Sequence, residues 1–352
     1  MRPGRHLLAL LVPLGVVAVS VLLLAGLVAA SGLSPSAALG ALVRGAVGSP
    51  YALLSGTLLR ATPLLLAGLA VALAFRAGVL NIGAEGQLLA GAAAAAAVGL
   101  GAAGMSAAIA APLALLAGTV AGAAWASIAA LLRTRFGVLE VISTIMLNFV
   151  AIHAVGYLVR GPLQEPTRAY PQTNAIAEVA RLAPLAPGQR LHWGFLLALG
   201  AAVLLWLGLR YTAAGFRLRV VGANPAAAAS AGLVSVARTT AGAFVLSGAL
   251  AGLAGAVELQ GVTYALYENL SPGYGYTAIA VALLARLEPL LVVPSAILFG
   301  ALEAGGAAMQ RDAGVPSVLV AVIEATLILA VLAFDRLRVT PLAAFGARAN
   351  AV

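Results

Sequence analysis

The sequence contains no cysteine, and its 20 basic residues are all arginine, so lysine is absent as well. Without cysteine the chain forms no disulfide and offers no thiolate for catalysis or metal binding. Without lysine it has no phosphate-binding loop of the G-x-x-x-x-G-K-[ST] type. If this protein moves a solute uphill at the expense of ATP, a separate chain must hydrolyse the nucleotide.

Charged side chains are scarce. They make up 9% of the 352 residues, against about a quarter in a soluble domain, while 62% of the residues are hydrophobic. A soluble globule has nowhere to bury so much apolar surface. The net charge of +9 does not indicate a nucleic-acid partner, because most arginines fall between apolar runs, where they set membrane topology. The composition predicts an integral membrane protein surrounded by lipid.

The apolar runs predict an all-α bundle of about ten transmembrane helices, with broken or re-entrant elements. A first run that is longer than the roughly 7–15 residues of a signal-peptide core favours a retained helix. The region 276–306 is apolar but interrupted by Arg286, Glu288 and Pro289, and we interpret it as two short or broken helices. The other runs cover residues 7–30, 52–74, 86–103, 107–132, 138–158, 192–209, 239–261 and 316–334.

The arginines predict the orientation. With both termini in the cytoplasm, 13 of the 20 arginines lie in inner breaks, as the positive-inside rule requires. The chain is then one membrane domain, residues 1–352, with an external loop at 160–191 and a cytoplasmic segment at 210–238. The seven arginines in outer breaks are Arg44, Arg60, Arg160, Arg168, Arg181, Arg190 and Arg311.

Polar side chains interrupt the apolar pattern at four places, of which the last two contain Glu258 with Gln260 and Glu303 with Glu324. Polar groups within a membrane are costly unless they are paired or face water, so such residues often mark a transport path. The glycines at 78, 83 and 86 favour a broken helix around the first group. The alternatives are a helix–loop–helix corner in which Glu85 pairs with an arginine, and hydrogen bonding between helices. The candidate path residues are Asn81, Glu85 and Gln87, followed by Ser143, Thr144 and Asn148, which lie near Glu140.

No catalytic or metal-binding set can be identified. The three histidines form no paired motif of the kind that binds zinc, and no Ser/His/Asp set occurs at a spacing that suggests catalysis. The remaining carboxylates of the apolar runs, Glu258, Glu303 and Glu324, are isolated. We interpret them as structural or interfacial residues. In the run at 239–261, Gly248 and Gly252 form a G-x-x-x-G with Gly242 and Gly255 nearby, which predicts close helix packing.

The segment from Arg210 to Thr240 predicts a short capped helix. Asn224 is a good N-cap, Pro225 suits the first helical position, and Gly232 follows the alanines that complete the helix. About seven residues, roughly 10 Å long, are too short to cross a bilayer. The helix is therefore either a docking site for a cytoplasmic partner or a plain connector.

Three motifs resemble a known family. The segments GVLNIGAEGQ (78–87), RVVGANPAAAASAG (219–232) and SPGYGYTAIAVALLARLEPL (271–290) resemble permeases of bacterial ABC importers for simple sugars, branched-chain amino acids and nucleosides. EVISTIMLNF (140–149) looks most like the nucleoside branch. The resemblance covers about residues 55–335.

The resemblance implies a permease in the bacterial cytoplasmic membrane that is not an enzyme. Its implied partners are one or two ATPase subunits, a second homologous permease or another copy of itself, and an external substrate-binding lipoprotein. ATP and Mg²⁺ would lie on the ATPase, so this chain would bind no cofactor. The segment matching the family's coupling helix contains Arg219, Gly222, Asn224, Pro225, Ala227, Ala231 and Gly232.

The implied mechanism is import of a nucleoside by alternating access. The same architecture importing a simple sugar such as ribose is an alternative. A further alternative is a secondary transporter that uses Glu85, Glu258 or Glu303 as its ion site, and another is a channel or scaffold with no partner at 219–232. Tyr264, Tyr267, Tyr274 and Tyr276 either stack on a nucleobase or form an interfacial aromatic belt.

Overall fold

A computed structural model of the chain describes residue 22, residues 24–232 and 234–322, and residues 325, 326 and 329. Within these residues all regular structure is helical, apart from two isolated bridges between Gln172 and Tyr267 and between Pro184 and His192. Six of the described helices are long and apolar enough to cross a membrane. The prediction of an all-α membrane fold is confirmed to that extent. Glu324, both terminal arginine groups, most of the first predicted span and part of the last lie outside the described residues.

The helices follow the predicted apolar runs closely between residues 52 and 261. Two helices, α3 and α10, are apolar but shorter than the six long ones. Single π-helical turns precede α2 at Ala52–Leu58 and follow α9 at Leu259–Thr263. In chain order the α-helices are α1 (Pro35–Val47), α2 (Leu59–Arg76), α3 (Ala84–Leu100), α4 (Ala107–Phe136), α5 (Glu140–Arg160), α6 (Gly194–Tyr211), α7 (Ala213–Ala223), α8 (Pro225–Ser230), α9 (Val236–Glu258), α10 (Tyr274–Leu284) and α11 (Pro289–Ala313).

The region 276–306 differs from the prediction of two short or broken helices. Only α10 is short, because α11 continues for 25 residues and includes Pro294. The chain breaks once, where Arg286 and Leu287 both take left-handed backbone angles, with φ of 52° and 60°. Pro289 then opens α11, at a position where a missing N–H costs little. The break falls at the charged residues where the sequence predicted it, and only the length of α11 differs from the prediction.

Two further helices were not predicted as such. Helix α1 lies between the predicted apolar runs 7–30 and 52–74, and Ser34 caps its start by accepting a hydrogen bond from Ala37 N. Helix α7 lies in the polar stretch after α6, and Thr212 caps it by accepting from Gly215 N at 3.1 Å. Both helices are short and interrupted by polar or glycine residues, so their apolar pattern is weak.

The chain divides into two compact units, one formed by residues 1–53 and 301–352 and the other by residues 54–300. In the described part of the first, Val28, Ala38, Ala41 and Met309 belong to one buried cluster. In the second, α2 is buried along nearly its whole length and packs against α9 and α10.

Glycine contacts join α9 to α3 and α4. The backbone of Gly252 meets the carbonyl of Gly118 and the backbone of Gly122 so closely that a Cβ at position 252 would collide with both. Gly255 lies equally close to the carbonyl of Leu88 in α3. Gly242 has open space around its Cα, with no heavy atom within 4 Å of a built Cβ. The predicted G-x-x-x-G contact is confirmed at Gly248 and Gly252 and does not extend to Gly242.

Helices α4, α5 and α6 are mostly exposed apolar helices. Between 28% and 33% of their most apolar windows is buried, against 83% for the span that includes α2. Large apolar side chains such as Leu116, Val120 and Leu204 are exposed on them. Lipid is the solvent that makes this arrangement favourable, because apolar surface of that extent is rare on a soluble monomer.

The external-loop region 160–191 packs on helix ends through backbone hydrogen bonds. Ala177 N donates to Gly99 O at the end of α3, and Leu182 N donates to Gln260 O after α9. Burial, and secondarily Arg190, lower the pKa of His192 to about 4. The Nδ1 atom of the neutral imidazole accepts a hydrogen bond from Gly194 N at 3.1 Å. Gly194 is the first residue of α6.

We expect the Gly252→Val substitution to disrupt the contact between α9 and α4, because the added side chain meets backbone atoms that have no room to move. Overpacking of this kind costs about 1–3 kcal/mol or more. The purified protein should melt at a lower temperature in detergent. The matched control is Gly242→Val in the same helix, which should melt like the wild type. Equal melting temperatures for both variants would contradict the proposed close contact.

Candidate functional site

Two helices begin next to each other inside the unit of residues 54–300. Helix α3 starts at Ala84 and α10 at Tyr274. Gly275 N donates a 2.7 Å hydrogen bond to Glu85 Oε2, and a Cβ at Gly275 would collide with the backbone of Ala84 and Glu85. A carboxylate between two helix N-termini is favourable, because the unpaired N–H groups carry partial positive charge. The partners of Glu85 are this backbone amide and the Ser271 side chain, whereas the corner alternative expected an arginine.

The segment that precedes α3 is held by a pair of amide side chains. Asn81 Nδ2 donates to Gln87 Oε1 at 3.1 Å, and Gln87 Nε2 donates back to Asn81 Oδ1 at 3.0 Å. Asn81 Nδ2 also donates to Ser247 Oγ at 2.9 Å, and that hydroxyl donates to Ala70 O in α2. Non-helical residues 77–83 are thereby connected to α2, α3 and α9.

Asn148, which lies in α5, also holds the segment before α3 through hydrogen bonds. Its Oδ1 accepts from Gly86 N at 2.8 Å, which satisfies an amide of the first turn of α3. Its Nδ2 donates to Ile82 O at 2.9 Å and reaches Tyr276 Oη at 3.4 Å. One buried side chain therefore serves the segment 77–83, α3 and α10 at once.

Ser143 and Thr144 are buried but bond within their own helix. Both hydroxyls donate to Glu140 O, at 3.1 and 2.7 Å. Thr144 Cβ would lie 3.1 Å from a Cβ added at Gly83, so Thr144 packs against the broken segment through its carbon atoms. Glu140 itself forms an ion pair with Arg133. The structure thus brings Asn81, Gln87 and Asn148 into one hydrogen-bonded assembly, with Glu85 and Thr144 at its edges and Ser143 outside it.

Several members of this assembly were not identified from the sequence. Ser247 is the one polar residue in the apolar run from Ala243 to Leu253, which is a usable signal. Gly275 and Ala70 contribute backbone atoms, which no sequence pattern marks. The four tyrosines singled out from the sequence do not form one group. Tyr276 reaches Asn148, Tyr264 lies under Arg181 with 4.9 Å between guanidinium carbon and ring centroid, and Tyr274 is buried.

The predicted docking helix is α8. Asn224 Oδ1 accepts from Ala227 N at 3.0 Å and Pro225 is the first helical residue, which confirms the predicted capping. Ala231 ends the helix and Gly232 takes a left-handed φ of 68°. Five residues of the predicted docking segment are exposed, namely Asn224, Pro225, Ala227, Ala231 and Gly232.

Gly222 and Arg219 differ from those residues because they face the protein. A Cβ at Gly222 would collide with the carbonyl of Arg76 at the end of α2. Arg219 lines a cavity of about 190 Å³ with Arg76, Arg210 and Glu288. Arg76 Nη1 donates to Glu288 Oε2 at 2.6 Å. The segment that carries α8 therefore contacts the end of α2 directly and shares a cavity with Glu288, which precedes α11.

The remaining carboxylates that the sequence singled out are Glu258, Glu303 and Glu324. Glu258 is buried at the end of α9, Glu303 lies in α11, and Glu324 is outside the described residues. Within the described part of the chain no three His, Asp or Glu residues group in a way that could hold a metal ion.

Comparisons with known proteins agree with this architecture. Residues 53–332 match the family model described as the permease component of the branched-chain amino acid transport system. The chain is 40% identical to the guanosine ABC transporter permease NupP of Bacillus subtilis, over 92% of this chain and 93% of that protein. It is 41% identical to the glucose ABC transporter permease TsgB13 of Haloferax volcanii, over 78% and 75% of the two chains.

A third relative is the nucleoside ABC transporter permease NupB of Lactococcus lactis, at 32% identity over 76% of this chain and 75% of that protein. No solved structure matches the chain significantly. The described part of the chain has six long apolar helices and two short helices that begin side by side. The three relatives given above are each named as an ABC transporter permease. The chain belongs to the family of branched-chain amino acid transport system permease components, as a multi-pass membrane permease subunit of an ABC transporter rather than an enzyme.

Proposed function

We propose that this permease forms the translocation path through which an ATP-driven importer takes up nucleosides by alternating access. The observation that carries the proposal is the 40% identity to a permease named for guanosine, which extends over 92% of this chain. Import of a simple sugar, such as glucose or ribose, is the second candidate. It is supported by the 41% identity to a permease named for glucose. Membership in an ABC permease family leaves the ion-coupled transporter and the channel without comparable support.

The proposed topology has about ten membrane elements, of which α3 and α10 are discontinuous, and both termini lie in the cytoplasm of a bacterial cell. Discontinuous helices near the middle of a membrane form substrate sites in many transporters. Here Asn81, Glu85, Gln87, Thr144 and Asn148 keep α3 and α10 in place. We assign these residues to bracing the path, whereas Ser143 bonds within its own helix, α5. The chain forms one functional domain in this proposal, with its external loop at 160–191.

The proposed energy source is a separate ATPase that docks on α8. Five exposed residues of that segment are available to a partner, while Gly222 contacts the end of α2 and Arg219 shares a cavity with Glu288. ATP and Mg²⁺ would bind to the ATPase, with no cofactor on this chain. The further proposed partners are a second permease, either homologous or identical, and an external substrate-binding lipoprotein. Nucleic acid has no role.

The substrate is tested by uptake into liposomes that contain the permease with its ATPase, its companion permease and its binding protein. We expect uptake of labelled guanosine that depends on ATP and is competed by unlabelled nucleosides. Uptake of glucose or ribose without guanosine would replace the first candidate with the second. A liposome without the ATPase is the control, and transport there would contradict the assignment to an ABC importer.

We expect Ala227→Trp to block assembly with the ATPase, because the bulky side chain would project from the exposed face of α8. Co-purification in detergent should fall by more than about tenfold, since a clash at the centre of a contact costs several kcal/mol. The melting temperature of the permease alone should not change. The control is Ala107→Trp at the exposed first residue of α4. Normal ATPase recovery with the Ala227 variant would refute docking at α8.

We expect Asn148→Leu to lower stability, because it leaves the Gly86 N–H and the Ile82 carbonyl buried without their partner. Each such loss costs about 1–3 kcal/mol. Thermal melting and guanosine uptake should both decrease. Thr119→Val is the control, because that hydroxyl bonds only to Leu115 O in its own helix. Normal melting with lost uptake would instead place Asn148 in direct contact with the substrate.

A further inference from the structure

A second polar cavity lies in the unit of residues 54–300, separate from the Asn81–Asn148 assembly. Its volume is about 120 Å³, which exceeds the space of one water molecule several times. Glu258 at the end of α9 and Arg60 in α2 contribute charged groups, and Arg190 contributes another from the chain before α6. The other lining residues are Ser55, Leu59, Val262 and Tyr274.

Glu258 is the unusual member of this cavity. The residue is 4% exposed, and its Oε2 atom is buried with no hydrogen-bond partner in the described part of the chain. A buried acceptor without a donor is expensive, by about 1–3 kcal/mol and more for a charged group. Most buried polar atoms are satisfied for that reason. The unpaired Oε2 atom of a buried carboxyl that lines a cavity therefore indicates that a ligand supplies the missing hydrogen-bond donor.

The two arginines that line the same cavity carry hydrogen-bond donors. Arg190 N donates to Ser55 Oγ at 2.8 Å, which positions the residue, and Arg190 Nη2 donates to Val262 O at 3.4 Å. A guanidinium has five N–H donors, so that single side-chain bond leaves others for a ligand. Arg60 and Arg190 both attract the Glu258 carboxyl electrostatically. Arg190 is exposed whereas Glu258 is buried, so the cavity has a guanidinium at the surface and a carboxyl in the interior.

This mixture of charges selects the kind of ligand. The two guanidinium groups donate hydrogen bonds, and the Glu258 carboxyl can accept one, so the lining suits a ligand that both accepts and donates. A pair of neighbouring hydroxyl groups suits both, because each hydroxyl donates to one partner and accepts from another. Val262 and the ring of Tyr274 provide apolar surface for the carbon face of a small ring.

We propose that this cavity binds the vicinal diol of a neutral sugar ring and is the part of the permease that recognises the substrate. The inference rests on the proposed function, which makes the substrate a nucleoside or a simple sugar. A diol is common to guanosine, ribose and glucose. The same site therefore suits a chain that is similar both to a permease named for guanosine and to one named for glucose.

The site is tested directly on the permease–ATPase complex in lipid nanodiscs, without the binding protein. An apolar carbodiimide modifies buried carboxyl groups, and mass spectrometry of the Glu258 peptide measures the rate of modification. We expect ribose, glucose and guanosine to slow this rate severalfold, while 2′,3′-dideoxyguanosine, which lacks the diol, leaves it nearly unchanged. Equal protection by the dideoxy compound, or no protection by any diol, would overturn the proposal.

Uptake in liposomes gives the second readout. Glu258→Gln replaces an acceptor with an amide of the same size, and we expect the KM for guanosine to rise by about tenfold or more, as for a lost hydrogen bond to a charged group. Glu268→Gln is the matched control. Its carboxylate pairs with Arg160 at 2.6 Å on the surface, where such pairs contribute little. An unchanged KM in the Glu258 variant counts against the diol site.

The two readouts separate the inference from the proposed function. Guanosine uptake by the wild type without diol protection of Glu258 would refute the site and leave the nucleoside importer in place. Protection by ribose and glucose with no guanosine uptake would support the diol site and refute nucleoside import. If neither protection nor uptake of any of these compounds occurs, both proposals are wrong.

Discussion

The cost of an unsatisfied backbone group away from water is the constraint on which this structure depends. A continuous membrane helix meets the constraint by itself, but a broken one exposes N–H and C=O groups that need other partners. The chain breaks at residues 77–83 and again before α10. At these places Asn81, Asn148 and Glu85 supply the missing acceptors and donors. The polar residues of an otherwise apolar chain are concentrated where the backbone cannot satisfy itself.

Close packing determines which helices receive those side chains. Glycines let α9 lie against α3 and α4 with backbone contact, which brings Ser247 within 2.9 Å of Asn81. In lipid, helices gain little from hydrophobic association, so close van der Waals contact and hydrogen bonds carry the specificity. The buried α2 forms the centre of this unit, while α4, α5 and α6 keep large apolar side chains on the exposed surface.

The same unit contains two polar regions with opposite character. In the Asn81–Asn148 assembly donors and acceptors are matched, and a matched buried network favours rigidity. In the cavity around Glu258 an acceptor lacks its donor and guanidinium groups lie nearby. A satisfied network suits a brace and an unsatisfied one suits a ligand. This contrast is the physical basis for assigning bracing to the first region and recognition of the substrate to the second.

The sequence by itself determined the membrane environment, most helix positions and the capping of α8, because these depend on composition, on runs of apolar residues and on local hydrogen bonds. It also marked Asn81, Gln87 and Asn148, since polar residues stand out in an apolar chain. It underestimated the length of α11 and missed α1 and α7, whose apolar patterns are interrupted by proline, glycine or arginine. Only the tertiary structure decided that Glu85 meets Gly275 and that Gly222 meets Arg76, because backbone atoms carry no sequence signal. The cavity around Glu258 likewise required the fold, since it joins residues from four separate parts of the chain.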